Sequence, residues 1–219
     1  MASAVEVRLA GAVDAADAPR VHAALEALAG RPPARVARHE LLLAPPPPPP
    51  GSGDRGGGEL RLSRDVGSQE EREGGGGAPL ADDATTTSWT ARSVRAAVRG
   101  RAAAAAPAQA RQVASARVAG ADAPAFFCAL GFRPSSDRFF EGVEYALVLA
   151  GQRVRVGVGA LHRVAPGPGP PRARAADAAP GLTLVDAVAV APEADYKDAV
   201  GAMGELADAL KGVVELRKE

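Results

Sequence analysis

The chain has 219 residues, enough for one large domain or one domain with a sizeable insert; 47% are apolar, much of that alanine, and only 4% aromatic, so a core must rest on Val, Leu and a few Phe. Its 26 basic and 26 acidic residues cancel, which removes any global electrostatic case for binding nucleic acid or an anionic membrane. A single cysteine, Cys128, excludes an intramolecular disulfide and a Cys-rich zinc module, and it fits a reducing compartment.

Val5, Val7 and Leu9 alternate with Glu6 and Arg8, a period of two that predicts a half-buried first strand. Charges inside that alternation also set it apart from a secretory signal. A helix is expected next, with Asp17 as its cap, Pro19 in its first turn, a stripe of Val21, Leu25 and Leu28, and Gly30 as its end. Val36 to Leu43 reads as a second strand.

The pattern then collapses into the proline run Pro45–Pro50 and Gly-rich, charged sequence. Residues 44–84 are therefore expected to be a disordered insert that divides the sequence but not the fold, with room for a short strand at Leu60 and Leu62.

Strand signals resume at Thr85–Ala91, around the only tryptophan, Trp89, and at Gln112–Val118. Asp122 then caps a helix over Ala123–Leu130, stopped by Gly131, whose Phe126, Phe127 and Leu130 supply an apolar face. From Phe139 the chain is strand-rich: Val143, Tyr145, Leu147 and Leu149 alternate, Gly151-Gln152 can turn, and Val154, Val156 and Val158 alternate again. A Pro/Gly-rich loop over 166–180 precedes a long strand, Leu182–Val190. The terminal helix begins near Glu193 and aligns Tyr196, Val200, Met203, Leu206, Leu210 and Val213 on one face.

About seven strands with hairpin-like spacing and about three helices argue against a doubly wound parallel sheet. The expected fold is mainly β with packed helices (α+β), one domain over 1–219 built on a closed antiparallel barrel, because closure removes exposed edges. With no apolar run of about 18 residues, the chain reads as soluble and intracellular.

Motifs for chemistry are sparse. Gly51-Ser52-Gly53-Asp54-Arg55-Gly56 matches a dinucleotide-binding glycine pattern, but prolines precede it where a strand is required. His22, His39 and His162 lack the spacing of a metal site. No nucleophile elbow or phosphate loop is present, so no catalytic residue, cofactor or metal is assigned.

Between Asp83 and Asp122 the sequence holds Arg92, Arg95, Arg99, Arg101, Arg111 and Arg117 without an acidic residue. This is either simply the chain's default solvated residue or a basic docking strip, for an acidic protein first and for nucleic-acid phosphates second. Asp186 interrupts the face Leu182, Leu184, Val188, Val190; it faces either a wet barrel lumen or solvent, with Val185, Ala187 and Ala189 then turned to the core.

The order of segments resembles the Mediator subunit 18 family. An N-terminal strand and helix lead to Arg38-His39-Glu40-Leu41, then Ser88-Trp89-Thr90-Ala91-Arg92, then Phe126-Phe127-Cys128-Ala129-Leu130-Gly131-Phe132. A barrel hairpin, a strand from Gly181 to Val190, the Ala191-Pro192 break and a terminal helix with Tyr196 close the series.

The resemblance implies a non-catalytic scaffold of the Mediator head module and a coregulator of RNA polymerase II transcription in the nucleus. It further implies a barrel that pairs with Mediator subunit 20, is tethered by a helix of subunit 8, and contacts other head-module subunits and the polymerase. Specific nucleic-acid and membrane binding are not expected. The partner-binding candidates are Val21, Leu25 and Leu28 of the first helix and Tyr196, Val200 and Met203 of the last, with intramolecular packing as the competing account. The same barrel type resembles triphosphate-tunnel enzymes, which supply the alternative of a phosphohydrolase with a degenerate metal site. Their first-strand signature of two glutamates and a lysine falls here on Ala4, Glu6 and Arg8, so one ligand is missing.

Overall fold

The computed structural model describes residues 4–47, 58–66, 88–97, 106–120, 122–165 and 175–218. Nine strands occur among them: β1 (Ala4–Asp14), β2 (Ala34–Ala44), β3 (Glu59–Asp65), β4 (Ser88–Ala97), β5 (Gln109–Ala119), β6 (Arg133–Leu149), β7 (Gln152–Val164), β8 (Ala175–Asp177) and β9 (Leu182–Pro192). The helices are α1 (Ala18–Ala29), α2 (Ala123–Ala129) and α3 (Tyr196–Ala209).

Every strand pairing is antiparallel. In the order β6-β2-β3-β4-β5-β1-β9-β7, with β6 returning to β7, eight strands close a barrel, and β8 adds to β7 as an extra strand. β1 pairs with β5 only over Ala4–Arg8. Beyond that point Ala10 and Arg217 exchange backbone hydrogen bonds of 2.9 and 2.8 Å, so the tail after α3 covers the remaining edge of β1. Gly11 permits this approach, since a Cβ there would lie 2.7 Å from the Glu215 carbonyl oxygen.

Alternation in β1 sends Val5, Val7 and Leu9 to the outside of the barrel and Glu6 and Arg8 to its lumen. The outward residues of β1, β6, β7 and β9 form the main core with α1 and α3, in which Val21, Leu25, Met203 and Leu206 are fully buried. A smaller core sits on the outer face of β2, β3 and β4, where Leu41, Leu43, Leu60, Leu62, Trp89 and Ala91 meet Ala123, Phe127 and Phe132 of the α2 region. The apolar layers thus lie outside the barrel, under the helices.

The short strand expected at Leu60 and Leu62 is β3, a barrel strand whose leucines oppose Leu41 and Leu43 while Arg61 turns inward; most of the rest of 44–84 is outside the described residues. Several other expectations are corrected. β6 begins at Arg133 rather than Phe139, held by β2 from Arg133 to Glu144. The β6–β7 loop is Ala150-Gly151, not Gly151-Gln152, with φ of 47° and 77° as in a two-residue type I′ turn. β8 falls within the loop predicted over 166–180, where His162 of β7 pairs with Asp177. Neither Asp17 nor Asp122 makes a side-chain capping bond. A 3₁₀ turn, Glu193–Asp195, precedes α3.

Candidate functional site

The lumen is where charge concentrates. A cavity of about 80 Å³ is lined by Arg8, Arg38, Glu40, Arg138, Glu144, Arg155 and Asp186 together with Phe140 and other apolar groups, from five consecutive barrel strands. At roughly 10–15 Å³ per water it has room for a handful of waters. A smaller one, about 10 Å³, lies among Glu6, Arg8, Arg61, Gln109 and Arg111. Facing glycines narrow the barrel beside the larger cavity: a Cβ on Gly142 would overlap the Val158 carbonyl and lie 2.6 Å from Cα of Gly159, its cross-strand partner.

Three of the inward carboxylates, Asp186, Glu144 and Glu6, are engaged by arginine. Asp186 accepts two bonds from Arg8, 2.6 Å from Nε and 3.0 Å from a terminal nitrogen, the planar fork geometry that favours Arg. Glu144 accepts from Arg38 at 3.0 Å and has Arg155 at 3.7 Å. Glu6, 3% exposed, is paired with Arg92 and lies 3.5 Å from Arg61, which reaches it across the interior from the non-adjacent strand β3. Burial disfavours the Arg38 charge, yet the hydrogen bond and charge of Glu144, with Asp65 and Glu40, overcome it and raise its pKa above the usual arginine value. No group of three or more His, Cys, Asp or Glu side chains placed to hold a metal occurs among the described residues.

A second constellation crosses the outer face. In register, His162, Phe139, His39 and Arg64 stand side by side on β7, β6, β2 and β3. The Arg64 guanidinium lies 4.7 Å from the centre of the Trp89 ring, and His39 is 5.2 Å from that ring, centroid to centroid. His39 Nε2 donates to Asp137 at 2.7 Å. Burial pushes the Arg64 pKa down against the opposing charge of Asp137. The third histidine, His22, shares a 2.9 Å hydrogen bond with the Tyr145 hydroxyl.

Of the partner-binding candidates, Val21, Leu25 and Met203 are 0% exposed inside the chain's own core and offer no surface in this fold. Tyr196 and Val200 are half-buried against that core, and Leu28 is exposed. Of the basic strip, Arg92 turns inward to Glu6, Arg95 is exposed, and Arg99 and Arg101 lie outside the described residues, as does the glycine pattern 51–56. Asp186 faces the lumen, while Val185, Ala187 and Ala189 on the other face of β9 enter the core, so both readings of that strand hold at once. Sequence reasoning missed the arginine lining. Its signal was charge at alternate positions opposite apolar ones, as in Arg38 and Glu40 against His39 and Leu41.

No family model matches the sequence, and no curated protein matches it significantly. The fold is similar to that of a chain in the structure of the Schizosaccharomyces pombe Mediator head module, at 14% identity and a TM-score of 0.63, over 98% of each chain. It is also similar to the PH1819 protein from Pyrococcus horikoshii OT3, at 13% identity and a TM-score of 0.53, covering 97% of this chain and 93% of that one. At these identities the likeness is one of fold: a closed antiparallel barrel with packed helices, shared with a component of the Mediator head module.

Proposed function

We propose that the chain is a non-catalytic scaffold subunit that acts through protein–protein contacts, at the position of subunit 18 in a Mediator head module, as a nuclear coregulator of RNA polymerase II transcription. The observation that carries this reading is the pairing inside the barrel. Glu6, Glu144 and Asp186 are each committed to arginine, whereas metal-assisted phosphoryl chemistry needs carboxylates converging on a cation. The full-length fold likeness to a head-module chain supports the assembly context.

Co-expression with Mediator subunit 20 and the tethering helix of subunit 8 tests it. A complex that co-elutes on size exclusion is the expected result, and separate elution of all three overturns the assignment. The alternative, a triphosphate-tunnel phosphohydrolase, draws on the arginines that line the cavity. Metal-dependent release of phosphate from inorganic triphosphate by the purified chain would favour it.

A further inference from the structure

The two halves of the barrel exterior are covered unequally. α1 and α3 shield β1, β6, β7 and β9, while the outer face of β2, β3 and β4 has only the seven-residue α2 packed on it among the described residues. The run Ala123–Phe132 contains no polar or charged side chain. Phe127 turns inward onto Phe132, but Phe126 and Leu130 are 56% and 55% exposed, with Ala125, Cys128 and Ala129 exposed around them. Exposed aromatic and aliphatic side chains grouped on one short helix are a feature that interaction surfaces share.

The same face holds three buried polar atoms without a hydrogen-bond partner: Trp89 Nε1, Arg64 Nε and His39 Nδ1. The first two can only donate. Trp89 is 2% exposed and belongs to the cluster that carries α2. Asp137, the carboxylate beside them, is taken by His39 Nε2, so an acceptor is missing where Arg64 stacks on Trp89.

We infer that the outer face of β2–β3–β4 is a docking surface for a partner polypeptide that combines apolar side chains with a carboxylate. The apolar groups cover Phe126 and Leu130, and the carboxylate pairs with the half-buried Arg64 guanidinium. Charge complementarity selects an acidic segment over a basic one, because the donors left without an acceptor at this face belong to the cationic Arg64 and to Trp89, on which Arg64 stacks within the cluster that carries α2. This deepens the scaffold reading by naming a partner's chemistry. Its test uses the purified chain alone, so its failure is distinguishable from failure of the complex to assemble.

Trp89 is the only tryptophan, so its emission reports on this face. The probe is a tryptophan-free synthetic peptide of about 15 residues mixing Asp with Leu and Phe, against a second peptide with Asn in place of every Asp. Saturable change in emission is expected with the acidic peptide, with affinity about tenfold lower for the Asn peptide and for Arg64→Gln, whose lost pair is charge-assisted. Phe126→Ser, at an exposed position that preserves the melting temperature, lowers affinity by a similar factor, about tenfold. Emission that does not respond, equal binding of the Asn peptide, or unchanged affinity in Phe126→Ser overturns the inference. A concentration-dependent dimer abolished by Phe126→Ser and insensitive to the peptide also overturns it, by giving the face to a second copy of the chain.

Discussion

Glu6 shows how a single side chain organises the lumen. It is nearly inaccessible, and it is the counter-charge for Arg61 and Arg92, which approach from β3 and β4. Removing one partner from a buried ion pair costs more than the pair contributes, because the remaining charges stay desolvated. Glu6→Gln is therefore expected to lower unfolding stability by about 2–3 kcal/mol, somewhat less than a fully buried pair because Arg92 keeps partial solvent contact. Chemical denaturation at neutral pH measures it.

Tyr145 gives a pH signature at the same scale. Burial, then the nearby Glu26 charge, raises its pKa above the ordinary value of 10.0. The folded chain thus holds the phenol proton to higher pH than the unfolded chain does. Its contribution is constant below pH 10 and is lost as pH climbs through the folded pKa. Stability measured from pH 9 upward should fall with a slope that Tyr145→Phe removes, although that variant also loses the hydrogen bond to His22 at every pH. An unchanged alkaline slope in the variant would assign it to other groups.

Among the elements, the terminal helix α3 ties the barrel together by covering β1, β9, β7 and β6. Met203 is at the centre of its buried stripe. Met203→Asp places a carboxylate where no cation reaches it, and global unfolding is expected by circular dichroism. A folded variant that has lost only a binding partner would instead return Met203 to an interface. In the β6–β7 hairpin, Gly142→Ala sets a methyl group against the backbone of β7, and overpacking of that kind costs about 1–3 kcal/mol, read as a lowered midpoint in urea.

The elements also show what could be read from sequence. β1, the β6–β7 hairpin and the amphipathic stripe of α3 were legible because their period is local. An apolar stripe states that a face is buried, not what covers it, which is why Val21, Leu25 and Met203 could be named for a partner although the chain's own core was the stronger competing account. β3 was legible as a short strand at Leu60 and Leu62, but not as a barrel strand, because that place rests on the two leucines matching β2, some 20 residues earlier. The lumen pairs were not legible at all. Arg61 and Glu6 meet only because the barrel closes, and no local spacing records a contact across an interior.

At the scale of the whole molecule, the barrel turns a set of charges inward and pairs Glu6, Glu144 and Asp186 with arginine there, and it places its apolar layers outside, under helices. That inverts the usual arrangement of a small barrel with a greasy lumen. Among the described residues the face over β2, β3 and β4 is the one with exposed apolar side chains and unpaired donors together.

The measurement that bears most directly on the scaffold account is affinity capture of the tagged chain from nuclear extract, with the recovered proteins identified by mass spectrometry. The account predicts co-recovery of Mediator head-module subunits in near-stoichiometric amounts. Recovery of the chain without them would contradict it.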